Sequence, residues 1–258
     1  MRREGRVILA LGRRALSVQF RRAQLLMPTF VLPLMLLAVI ASGTSAAQGL
    51  RDFPDVASYI AFVIPGTIVQ GALLAGLTTG TALAADIEFG FFDRLLAAPV
   101  RRASLVLGRL CGTLGLGLLQ ATFFLLVALP FGARYPGGVG AVVLTVLLAA
   151  LTAVGIGAIA STIAIRTGSL ALMQSIFPFV FVLLFTAPAF LPRPLLTPAL
   201  RDLSVYNPLT YVVEAIRGLL SGDPGLGDFG SGVAAAVGLA VAMTALATMA
   251  LEARLRAT

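Results

Sequence analysis

The sequence predicts an all-α membrane protein, and three observations carry that prediction. Of its 258 residues 59% are hydrophobic and only 12% charged, whereas soluble globular chains carry roughly a quarter charged residues. Several runs reach the ~20 apolar residues that a hydrocarbon layer about 30 Å thick requires of a spanning helix. Most of the charges fall between those runs. Six spans are expected, at about 23–42, 58–83, 104–130, 139–163, 169–190 and 232–251, all within one transmembrane domain covering 1–258. Pro33, Pro65, Gly66, Pro178 and Pro188 lie inside them, which bundled membrane helices tolerate.

The N-terminal segment, residues 1–22, reads MRREGRVILALGRRALSVQFRR. At 100° per residue Arg2, Arg3, Arg6, Arg13, Arg14 and Arg21 share an arc of about 120°, with Val7, Ile8, Leu11, Leu16 and Val18 on the remainder. Such a helix is expected to lie in the interface, arginines toward anionic headgroups and apolar face in the acyl boundary. The first apolar run begins only at Leu25. The basic region before it is too long, and the chain after it too apolar, for a signal peptide on a secreted domain, so the run is read as a retained span.

Charge sets orientation. With a cytoplasmic N-terminus and six spans, 14 of the 19 arginines fall on the cytoplasmic side and five on the other, as the positive-inside rule requires. Both termini are then cytoplasmic. The net charge of +8 is thereby a topology signal. No arginine stripe is interleaved with aromatics, which excludes a nucleic-acid partner. With one cysteine, Cys111, and no histidine, the chain offers no internal disulfide and no zinc site of its own. It has no lysine and no GxxxxGK[ST] stretch, so it lacks the Walker A lysine and any ATP hydrolysis must occur in a partner.

Between the second and third spans runs DIEFGFFDRLLAAPVRR, Asp86 to Arg102. Treated as one helix over 84–99, it puts Ala85, Phe89, Phe92 and Leu96 on one stripe, until Pro99 ends or kinks it. A short amphipathic helix between two long spans has the form of a docking element, and its aromatics suit a protein groove as well as lipid. Asp86, Glu88 and Asp93 sit beside arginines with no histidine or metal cluster near, so they are not read as catalytic. They serve either as a solvated polar face or, for Glu88, as a specific contact.

The last region outside the spans, 191–230, opens with prolines that forbid continuous helix. In 206–220, Asn207 and Pro208 can cap a short helix, on which Glu214 and Arg217, three apart, are expected to satisfy each other. Too short to span, it reads as a re-entrant or interfacial element. Within the spans, Gln70, Gln120, Gln174, Thr78 and Thr79 are candidates for pathway lining or for helix contact.

Two stretches carry a family resemblance. An acid followed by RLLAAPVRR and an LGR opening a span, together with YNPLTYVVEAIRGLL, Tyr206 to Leu220, resemble the two hallmarks of the ABC-2 transporter permeases, with the daunorubicin-resistance exporters the most similar branch. Ala97-Ala98 stands where many relatives have alanine-threonine. The resemblance implies a type V exporter-like half-transporter. Two copies form the pathway, and a separate cytoplasmic ABC ATP-binding subunit holds ATP and magnesium, with no cofactor on this chain. It implies that Glu88, Phe89, Phe92, Arg94, Leu95, Leu96, Ala98 and Pro99 belong to the coupling helix seated on the ATPase. It likewise puts Asn207, Pro208, Glu214 and Arg217 in the outer re-entrant element. A route with almost no fixed charge favours an amphipathic drug-like or lipid-like cargo, the alternative being a polysaccharide or lipid-linked glycan. A secondary transporter would need inverted repeats and a mid-span ionisable site, and a scaffold would need no pathway; the sequence favours neither.

Overall fold

The computed structural model describes residues 2–21, 23–43, 59–96 and 101–257, and its regular structure among these is helical. In chain order the helices are α1 (Arg2–Arg21), α2 (Ala23–Gly43), α3 (Tyr59–Glu88), α4 (Phe91–Leu96), α5 (Arg102–Ala128) and α6 (Gly138–Thr167). Beyond these come α7 (Leu170–Ser175), α8 (Phe177–Phe185), α9 (Pro198–Tyr206), α10 (Pro208–Ser221) and α11 (Leu226–Ala257). Four stretches, Ile60–Glu88, Arg102–Phe131, Gly138–Thr167 and Leu226–Arg256, are long and apolar enough to cross a membrane. A fifth crossing is added if α1 and α2, inclined at 71°, form one bent span.

The clearest departure from the expected six spans is the fifth, 169–190. Its apolar helix covers only Leu170–Phe185 and is divided into α7 and α8 at Ile176. Pro178 has no N–H to give the Gln174 carbonyl, and the helix breaks two residues before it, whereas Pro65 sits inside the unbroken α3. The expected second span runs on to Glu88, and the third begins at Arg102, so both enter the charged island as helix.

Helix α3 is the axis of the bundle. Within its most apolar window 89% is buried, against 22% for α11. Small residues make this possible, because a helix can be surrounded at short range only where side chains leave room. A Cβ at Gly76 would come within 2.7 Å of the Gly157 backbone nitrogen and of Ile156 Cβ on α6, and one at Gly71 would enter the Phe124 ring on α5. Around this axis Phe62, Ile64, Ile68, Leu73, Phe124, Leu148, Leu184 and Ile216 form one core. A second, at the island end, gathers Leu83, Ile87, Phe92, Val106, Leu110, Ile165, Met173 and Leu251.

Part of α1's apolar face is covered by protein where lipid was expected. Its Leu11 and Ala15 lie against Gly108 and Gly112 of α5, where an added Cβ would approach to 2.6 and 2.7 Å. Leu9 and Phe20 remain exposed. Hydroxyls and amides tie the bundle further: Thr79 and Thr113 hydroxyls meet at 2.7 Å, and Gln120 Nε2 donates to Thr29 Oγ1 at 2.8 Å. Most other threonines return their hydroxyl to a carbonyl one turn back, as Thr152 does to Leu148, so these polar groups are satisfied without water.

The packing of α3 gives a paired test. Gly76→Ala forces a backbone clash and is expected to cost about 1–3 kcal/mol or more, seen as a lower melting temperature in detergent. At Gly140, in the first turn of α6, an added Cβ meets nothing within 4 Å, and Gly140→Ala is expected to stay within about 1 kcal/mol of the parent.

Candidate functional site

The charged side chains of the described residues collect toward the two ends of α3. At its C-terminal end the chain leaves the helix through Phe89 and Gly90, with Phe89 N–H donating to the Ala85 carbonyl and Gly90 N–H to the Ile87 carbonyl, both at 3.0 Å. Gly90 adopts φ +70°, a left-handed conformation that strains any side chain. This turn splits the expected stripe of Ala85, Phe89, Phe92 and Leu96. Phe89 is 76% exposed while Phe92, on α4, is 4% exposed and belongs to the island-end core. Phe92 is therefore an anchor within this chain. Asp93 and Arg94 are exposed, Leu95 and Leu96 half-buried. Ala98 and Pro99 lie outside the described residues.

Other elements hold this end in place. The Arg14 guanidinium of α1 stacks 4.0 Å from the Phe91 ring centroid, a cation–π contact. Arg109 of α5 donates to Asp86 of α3 at 2.5 Å, and both are largely removed from water. Arg101 and Glu4 pair at 2.6 Å with the arginine 78% exposed, which in such a setting contributes little. Glu88 accepts from the Leu170 N–H at 2.9 Å. Beneath α4 lies a cavity of about 60 Å³, bordered by Leu11, Arg14, Gln19, Asp86, Phe92 and Arg109.

At the other end of α3, Asn207 does more than cap. Its Oδ1 accepts from Leu209 N–H at 2.9 Å, while its Nδ2 donates to the Leu183 carbonyl at 2.7 Å and to Thr186 Oγ1 at 2.9 Å. One side chain thus starts α10 and fixes the end of α8. Pro208 takes the first helical position, and Gly222, at φ +84°, closes the helix. The expected Glu214–Arg217 pairing is not formed. Glu214 Oε1 lies 3.1 Å from Arg193 Nε, close enough for charge attraction although the Nε–H is not aligned as a hydrogen bond. Arg217 Nη2 donates to the carbonyls of Pro188 and Ala189 at 2.9 and 3.3 Å, and its guanidinium lies 4.0 Å from the Phe62 ring centroid. The proline-rich segment had left those carbonyls without helical partners, and Arg217 supplies them.

Burial is the main influence on both groups. It raises the Glu214 pKa, opposed by the charges of Arg193 and Arg217 and reinforced by Asp228. It lowers that of Arg217 to about 10, with Glu214 opposing, so the guanidinium stays charged at neutral pH. Of the glutamines, Gln120 is a helix contact, Gln70 is buried with its Oε1 unpartnered, and Gln174 is exposed. The partnerships of Arg109 with Asp86 and of Arg193 with Glu214 were not anticipated. An acid and an arginine inside or beside an apolar run each need a partner, and that was the available signal.

A bundle of long apolar helices around a buried axis, with its charged side chains collected toward the two ends, defines a multi-pass α-helical membrane protein. The ABC-2 type transporter family matches residues 6–220, and the chain belongs to it. It is 29% identical over 216 residues to the protein named as transport permease ycf38 of Porphyra purpurea, covering 83% of this chain and 74% of the other. It is 28% identical over 199 residues to the daunorubicin resistance ABC transporter permease protein DrrB1 of Streptomyces coeruleorubidus, covering 74% and 68%. The family membership is thus established, but its narrowing to the daunorubicin branch is not, because the ycf38 proteins of Porphyra purpurea and Pyropia yezoensis match 83% of the chain against 74% for DrrB1. As an ABC-2 permease the chain is the transmembrane subunit of an ABC exporter, works with a cytoplasmic ATP-binding subunit and is not itself an enzyme.

Removing the Arg217 side chain strips two carbonyls of a charged donor. Arg217→Ala is expected to cost about 1.5–3 kcal/mol for each bond lost, read as a lower melting temperature and faster proteolysis around Pro188. Arg217→Lys should recover only part, since an ammonium cannot reproduce the planar donor set or its stacking on Phe62.

Proposed function

We propose that this chain is the membrane half of an ATP-driven exporter in a bacterial inner membrane, with α4 and the Phe89–Gly90 turn forming the surface that receives the ATP-binding subunit. In this reading α2, α3, α5, α6, the broken α7–α8 segment and α11 provide six crossings. Helix α1 lies in the cytoplasmic interface against lipid and α5, α10 is the outer re-entrant element, and both termini are cytoplasmic. Two copies form the pathway, ATP and magnesium stay in the partner, and the cargo is a hydrophobic or amphipathic drug-like or lipid-like compound. The DrrB1 relative, named for daunorubicin resistance, lends support to a drug-like cargo.

The observation that carries the docking assignment is the division of labour on the island. Phe92 is locked into the chain's own core while Phe89 stands 76% exposed beside exposed Asp93 and Arg94. An aromatic held out at a rigid turn with flanking charges is the form of an interface anchor with a polar rim. Contacts from α1, through Arg14 on Phe91, and from α5, through Arg109 on Asp86, give the turn a rigid seat for transmitted force.

Co-expression with a cognate ATP-binding subunit tests this. A Phe89→Asp, Arg94→Glu double variant should keep its melting temperature yet lose roughly tenfold or more in complex recovery and in permease-dependent ATPase activity. Phe92→Ala should lose stability itself, by about 3–5 kcal/mol. Full association of the double variant would remove the island from the docking surface.

A further inference from the structure

We infer that Glu88 is a positioning residue that ties the island to the inner end of the broken segment α7–α8, so that displacement of the island is passed to α7. The inference rests on the docking reading above and adds to it the route by which movement enters the bundle.

Glu88 closes α3, and the next two residues turn the chain into α4. Its Oε2 accepts from Leu170 N–H at 2.9 Å, across 82 residues of sequence. Leu170 is the first residue of α7, whose next turn is served locally by Ser169 Oγ, accepting from Leu172 N–H at 3.3 Å. The first N–H groups of a helix have no intrahelical partner, and here one is taken by a carboxylate from the island, a charge-assisted bond. Around this junction the elements are fixed. Arg254 Nη1 of α11 donates to the Ile165 carbonyl at 2.8 Å, Gly168 closes α6 at φ +62°, and a Cβ there would reach Ile87 of α3 at 3.3 Å. Met173, one turn into α7, is fully buried, its methyl group set against Gly80 of α3.

Helix α7 is six residues long and meets α8 at a turn at Ile176, so it makes far less contact with α3 and α6 than the long helices make with one another. Helix α6, by contrast, runs unbroken for 30 residues. Of the elements meeting at the island, α7 is therefore the one a small displacement can redirect, and the Glu88 carboxylate is the bond that grips its first residue.

The test uses the complex with the ATP-binding subunit and two thiol reporters in a Cys111→Ser background, Arg102→Cys at the exposed end of the island and Leu172→Cys on α7, labelled with a maleimide. With Glu88 intact, ATP and vanadate should change labelling at Leu172→Cys by about threefold or more. In Glu88→Ala that change should vanish while the response at Arg102→Cys persists. Glu88→Gln, which keeps an acceptor oxygen and the side-chain volume, should retain most of it and guards against a folding defect. Amide exchange at Leu170 should quicken about tenfold in Glu88→Ala but not in Glu88→Gln. A nucleotide response at Leu172→Cys that survives Glu88→Ala, or that is absent with Glu88 present, overturns the inference and leaves docking intact. Absence of any response at Arg102→Cys overturns the docking reading and this inference with it.

Discussion

The close approach of α3 to α5 and α6 is the constraint on which the remaining geometry depends. Where Gly71, Gly76 and Gly80 face Phe124, Ile156 and Ala160, backbone and side chain meet with no space between them. In a membrane this matters more than in water, since lipid tails are as apolar as leucine and only packing distinguishes neighbour from solvent. A helix surrounded in this way is a rigid strut about 45 Å long at 1.5 Å per residue. Its two ends carry the two polar clusters, so each is built against a fixed reference.

Those clusters obey one electrostatic rule. An ion removed from water must be met by a counter-ion or by hydrogen-bonding groups. Arg109 meets Asp86, Arg193 meets Glu214, and Arg217 meets two carbonyls and an aromatic face. The partners come from different elements, so each pair also fixes how those elements sit together. Arg217 holds the turn after α8, and Arg109 holds α5 to the end of α3 just before the island.

Short helices meet the long bundle through caps and proline positions. Asn207 spends its acceptor on α10 and its donors on the end of α8, which makes one amide the hinge pin between two elements. Ser169 and Glu88 share the first donors of α7. Arg201 gathers carbonyls of Arg193 and Pro194 where prolines prevent the backbone from satisfying itself. Segments that cannot complete their own hydrogen bonds are thus closed by side chains from elsewhere, and each closure is a contact through which movement can be passed.

The sequence by itself determined the membrane character, the helical class, the family and the absence of an ATPase site, because composition, apolar run length and residue inventory are local properties. It also placed Asn207 and Pro208 at the start of a helix, since capping depends on neighbours in the chain. Tertiary structure alone decided which way the island's phenylalanines face. A helical plot over 84–99 assumes one continuous helix, and the left-handed turn at Gly90 breaks its phase, sending Phe92 inward and Phe89 outward. It also decided the partner of Arg217. Three-residue spacing makes Glu214 available, but the unpaired carbonyls of Pro188 and Ala189 lie nearer in space and offer a buried donor more. The broken fifth segment has the same origin: hydropathy counts apolar residues, whereas the backbone donor missing at Pro178 and the bonds made to α7 and to residues 188–189 by distant side chains set where helix stops.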